Sequence, residues 1–180
     1  MKVFIIFLFI FNFVSSAQSS QKKNLNNLFG QLQTINNSKS AALLEKKIWS
    51  IWNEHPNDFK LTEKLELGTE LMQYGDYNYA LKVFSNILEN DPKWSEAWNK
   101  RATVYFLMSQ FTNSLNDIDK VLVIEPRHFG ALSGQARIFI KLQEYEKAIK
   151  SIENALKFYP SFKSRELIPE IERLIKEDSI

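Results

Sequence analysis

Pro92, Pro126 and Pro160 stand 34 residues apart, and no other feature of the chain restricts its fold as much. A fixed period of this size marks a stacked array, because so short a unit cannot bury its own apolar side and must lean on a neighbour. In 34-residue frames, residues 61–94, 95–128 and 129–162 repeat their character place by place. The eighth place holds Gly68, Ala102 and Ala136, and the twentieth holds Ala80, Ser114 and Ala148, all small enough for close helix approach. The eleventh holds Leu71, Tyr105 and Phe139, and the seventeenth Tyr77, Phe111 and Tyr145, large groups that fill space between helices. Each proline closes the second helix of its frame, since its ring cannot continue the backbone ladder. Those second helices carry apolar stripes: Leu81, Phe84, Ile87 and Leu88; Leu115, Ile118, Val121 and Leu122; Ile149, Ile152, Ala155 and Leu156. Burying one such Leu or Ile is worth roughly 1.5–3 kcal/mol, so a dozen suffice to hold an array. Within a frame, Gly75 supplies the permissive backbone of a tight turn, where Ser109 and Gln143 must manage without glycine.

The residues at these places resemble the tetratricopeptide repeat (TPR) family, whose motif runs Trp-x2-Leu-Gly-x2-Tyr, then Ala-x3-Phe, then Pro. Leu67-Gly68, Gly75-Asp76-Tyr77, Ala80, Phe84 and Asp91-Pro92 carry the likeness in frame one. Trp98, Ala102, Tyr105, Phe111 and Glu125-Pro126 carry it in frame two, and Ala136, Tyr145, Ala148, Ala155 and Pro160 in frame three. Lys64 and Leu132 depart from the Trp, and Ile118 and Ile152 from the Phe. Arg101 and Gln135 depart from the Leu, and are expected to line the surface in part. The resemblance implies an all-α, right-handed TPR superhelix of three helix pairs with capping helices at both ends. It implies no enzyme and no cofactor, but a groove.

Met1-Lys2 precedes a run from Val3 to Val14 that is apolar except for Asn12, and Ser15-Ser16-Ala17 follows with small residues. This is the grammar of a secretory signal peptide, and the run falls short of the ~20 residues a membrane-crossing helix needs. Residues 1–17 therefore read as a signal peptide cut after Ala17, 18–23 as a linker, and the mature chain as periplasmic or secreted, with no stable membrane insertion. Residues 24–60 read as N-terminal capping helices, a degenerate repeat. Asn24–Ile35 would form a short helix through Leu25, Leu28, Phe29 and Leu32, and Ser40–Glu54 a longer one through Leu44, Ile48, Ile51 and Trp52. Residues 163–180 read as a C-terminal cap that Ser164 starts, with Pro169 near its first turns. Ser95 is expected to cap the helix that carries Trp98.

Net charge excludes little else. Without Lys2, 22 basic side chains face 21 acidic ones, which gives no footprint for nucleic acid. The absence of cysteine removes disulfides and thiolate metal sites. The two histidines, His55 and His128, have no second ligand at metal spacing, and His128 reads as a turn residue capping carbonyls. Ser133 and Ser151 lack nucleophile context, and Asp117 and Asp119, two apart, face different ways on a helix.

Binding is where these residues point. Family resemblance assigns the groove to places 2, 5, 6, 9, 12 and 13 of each frame. Those places include Leu65, Glu66, Thr69, Met72 and Gln73; Glu96, Asn99, Lys100, Thr103 and Phe106; and Ser133, Arg137, Ile140 and Lys141. Gln73, Asn99, Lys100, Thr103, Arg137 and Lys141 are the candidate contacts to a protein or peptide partner, with Asn99, Lys100, Arg137 and Lys141 gripping a peptide backbone or a terminal carboxylate. The alternative is a structural subunit of an envelope assembly that docks through its caps or convex face, for which Trp49 and Trp52 are candidates. Trp98, at the family's packing position, is expected in the core.

Overall fold

The computed structural model describes residues 2–178, with side chains from 17 to 177, and every regular element among them is helical. Most of the expected leader therefore lies outside the described side chains. The chain divides into two compact units, one ending at Glu63 and the other starting at Lys64.

The first unit is a hairpin of α1 (Lys2–Thr34) and α2 (Ser38–Asn53). Leu25, Phe29 and Leu32 of α1 are buried, as are Ala41, Leu44, Ile48 and Trp52 of α2, and the Phe29 and Trp52 rings meet at 5.9 Å. Leu28 and Ile51, expected in these stripes, are only half-buried. Residues 18–23 differ from expectation: they are a continuous part of α1, not a linker. The physical reason is Gln21, whose amide donates to the carbonyls of Ile51 (2.9 Å) and Glu54 (3.0 Å), two acceptors at the frayed end of α2. The break falls at 35–37, and Asn37 caps α2 by accepting the Ser40 N–H at 3.0 Å.

Helix α3 (Phe59–Gln73) crosses the boundary at Lys64 and opens the second unit, which continues as α4 (Tyr77–Asn90), α5 (Ser95–Leu107), α6 (Phe111–Ile124), α7 (Phe129–Lys141), α8 (Tyr145–Leu156) and α9 (Ile168–Asp178). α3, α5 and α7 are the first helices of the frames, and α4, α6 and α8 the second. All three turns within frames put place 15 in the left-handed region: Gly75 at φ 83°, Ser109 at 58° and Gln143 at 61°. Each turn is locked by the same 6→1 bond, from Asp76 N–H to Leu71 (2.9 Å), Gln110 to Tyr105 (2.8 Å) and Glu144 to Phe139 (2.8 Å). Ser109 and Gln143 thus adopt the glycine conformation without glycine, at the steric disadvantage of a Cβ there.

The stripes bury largely as the period requires, with Phe84, Ile87, Leu88, Ile118, Val121, Ile152 and Ala155 inside. Places 8 and 24 exchange volume from frame to frame: Gly68 meets Phe84, Ala102 stands with Ile118, and Ala136 with Ile152. Two boundaries differ from the sequence reading. Trp94, not Ser95, holds the N-cap position of α5, and it makes no side-chain cap bond. Ser164 does not start the terminal helix, but sits in a 3₁₀ turn (Lys163–Leu167) before α9, its hydroxyl 2.9 Å from that of Ser133.

Candidate functional site

A stack of helix pairs leaves one side of its first helices without a further layer, so side chains that α3, α5 and α7 do not bury against neighbours define the candidate face. Gln73, Arg137 and Lys141 are exposed, while Thr69, Met72, Thr103, Phe106 and Ile140 are half-buried. Arg137 and Lys141 lie one helical turn apart on α7, with Ile140 between them. Thr103 spends its hydroxyl on the Asn99 carbonyl at 2.9 Å.

Several expected contacts turn inward instead. Leu65 is packed away, and Glu96 is fully buried at 0% exposure rather than lining a groove. The Glu96 carboxylate gathers three partners: the Asn99 amide at 3.2 Å, the Lys100 ammonium at 3.4 Å and His128 Nε2 at 3.0 Å. Asn99 and Lys100, read as grips for a partner, are therefore committed within the fold. His128 is equally buried and acts opposite to the expected carbonyl cap, because its Nδ1 accepts the Ala131 N–H at 3.1 Å at the start of α7. With Nδ1 accepting, the ring proton sits on Nε2 and points at Glu96. Burial pushes the Glu96 carboxyl up, but the His128 hydrogen bond, the Lys100 charge and the Asn99 amide together hold it below the usual glutamate range.

Arg101 does not merely line the surface. Its guanidinium forks onto Asp117 at 2.8 and 2.9 Å, donates to Ser85 Oγ at 3.0 Å and stacks 4.8 Å from the Trp98 ring. Trp98 is accordingly half-buried, its indole N–H on the Pro92 carbonyl at 2.9 Å. One frame later the same places hold Gln135 and Ser151, bonded at 2.8 Å, and one frame earlier Leu67 and Val83. Place 7 and place 23 change chemistry together, which is the signal that identifies Arg101–Asp117 as a packing pair. Arg101→Leu alone should strand the buried Asp117 carboxylate and destabilise by about 2–3 kcal/mol. Arg101→Leu with Asp117→Val, copying frame one, should recover most of that in a urea titration followed by circular dichroism.

In the first unit, Trp52 is core against Phe29, and Trp49 stands edge-on to it at 5.3 Å. Among the described residues, no group of three or more His, Asp or Glu side chains could hold a metal ion. No described helix is long and apolar enough to cross a membrane.

Period, paired helices, small-residue contacts and left-handed turns together define an α-solenoid of repeated helix hairpins. The tetratricopeptide repeat family profile matches residues 130–162. A TPR repeat-containing protein of Rhizobium etli is 32% identical over 146 residues, covering 81% of this chain and 71% of that one. The Hsp70-Hsp90 organizing protein of Triticum aestivum is 24% identical over 115 residues, 64% of this chain but only 19% of that protein's length. Among solved structures, the first TPR of Spaghetti (RPAP3) bound to the HSP90 peptide SRMEEVD superposes with a TM-score of 0.61 at 22% identity, covering 65% of this chain and 94% of that one. The Yersinia enterocolitica chaperone SycD, in complex with a peptide of the translocator YopD, gives 0.58 at 16% identity, covering 69% and 95%. The chain belongs to the tetratricopeptide repeat family.

Proposed function

We propose that this protein is a non-enzymatic interaction module, exported to the periplasm, that holds a peptide segment of a partner protein on the first-helix face of its second unit. The observation that carries this reading is the face itself. Met72, Phe106 and Ile140 recur at place 12 of successive frames and remain half-buried, with the exposed cations Arg137 and Lys141 at one end. Half-covered apolar groups beside charged ones suit a partner that buries the former and pairs the latter. The peptide-bound RPAP3 and SycD structures support the reading by analogy of fold. Export rests on the leader grammar of residues 1–17, with the mature chain beginning at Gln18.

Tagged mature chain should recover a partner from the cell envelope fraction, and N-terminal sequencing of the endogenous protein should begin at Gln18. Arg137→Glu with Lys141→Glu should lose that partner at least tenfold while leaving the helical circular dichroism intact. Retained capture by the double variant would contradict the reading, as would release by Trp49→Ala instead, which would favour docking through the N-terminal hairpin.

A further inference from the structure

We propose that the α7 end of this face takes an extended segment presenting two side-chain carboxylates two residues apart. This deepens the peptide-binding reading and rests on it.

Side chains at i and i+4 of a helix stand about 6 Å apart at Cβ, so Arg137 and Lys141 form two separate cationic points on α7. Both are exposed, and neither is held by a carboxylate among the described residues. Along an extended chain, residues i and i+2 point the same way at a spacing of about 6.6–7 Å. Two acidic side chains so placed can meet the two cations one to one, as charge-assisted hydrogen bonds. The backbone joining the two carboxylates then passes over Ile140, the half-buried apolar group between the cations.

Capture of a single terminal carboxylate is disfavoured on this chain. It needs donors that converge, and the nearest set, the Asn99 amide and the Lys100 ammonium, is turned onto Glu96. The terminal turn reinforces the positive end. Ser133, one turn before Arg137 on α7, holds Ser164 at 2.9 Å. Ser164 lies between the exposed Lys163 and Arg165, with Glu166 as the acidic member of that turn.

The test is fluorescence anisotropy with the full mature chain and a dye-labelled, C-terminally amidated Gly-Leu-Ser-Glu-Ser-Glu-Gly peptide. Its controls are the same peptide with Lys for both Glu, and its free-acid form. The expected result is binding at least tenfold tighter than the Lys peptide, weakening steeply as salt rises, with the free acid within twofold of the amide. Arg137→Glu with Lys141→Glu should abolish the preference for Glu without loss of helical signal. Equal binding of Glu and Lys peptides, a free acid more than fivefold tighter than the amide, or a preference untouched by the double variant would each overturn the proposal. Any of these could coexist with an envelope partner captured in the pull-down, so failure here is separable from failure of the interaction reading.

Discussion

His128→Ala should destabilise the second unit by about 2–4 kcal/mol, from about 1–3 for leaving a buried acceptor short of its donor and about 1 for a lost helix cap. Two losses coincide. Glu96, at 0% exposure, would keep its charge without the Nε2–H that now approaches to 3.0 Å. The Ala131 N–H at the start of α7 would also lose its acceptor at 3.1 Å, an N-cap worth about 1 kcal/mol. Against a total stability of ~5–15 kcal/mol for a domain, such a loss is large enough to leave part of the population unfolded. Urea titration followed by circular dichroism measures it, and a change below 1 kcal/mol would show that the pair does not tie α5 to α7. Glu96→Gln should cost less, since an amide oxygen can still accept from His128. Because the Glu96 carboxyl is held below its ordinary value in the fold, its contribution is present above about pH 4.3, the ordinary glutamate value, and is lost as pH falls through the lowered folded value. The stability gap between wild type and Glu96→Gln should therefore be widest near neutrality and close in acid.

Gly68→Val should be nearly as damaging, for steric reasons. A Cβ built at Gly68 would lie 2.6 Å from Cε1 and 2.8 Å from Cζ of Phe84, a ring with no exposure and no free end to swing away. Even Gly68→Ala, which gains about 1 kcal/mol of helix propensity, should lose about 1–3 kcal/mol to overpacking. The repeats supply the remedy. Frames two and three carry Ala with Ile at these places, so Gly68→Ala with Phe84→Ile should be more stable than Gly68→Ala alone. Thermal melts of the three proteins decide this, and a double variant no better than the single would show that the clash is relieved elsewhere.

Much of this architecture was legible because the period acts on backbone and core together. Prolines, small residues and aromatics recur at fixed places, and helices with left-handed turns follow from them. What escaped was polar. Asn99 and Lys100 read as outward grips because their places point along a groove, yet Glu96 three and four residues earlier draws both inward. Glu96 is itself held by His128, 32 residues away in sequence and adjacent only after α5 and α7 pack. Arg101 reads from sequence as a partly surface-lining departure from Leu, because its partner Asp117 lies 16 positions on. The linker at 18–23 failed for a related reason: polar composition suggested disorder, but Gln21 finds two carbonyls at the end of α2. Local polarity is ambiguous whenever the partner is remote.

The central claim is that the first-helix face, and not the second-helix side, meets the partner. A photo-crosslinking amino acid placed in living cells at Thr103 or Ile140, and for comparison at the exposed Val123 of α6, tests it directly. Irradiation should give one discrete higher-mass adduct from 103 and 140 and none from 123, whereas an adduct from 123 alone would contradict the account.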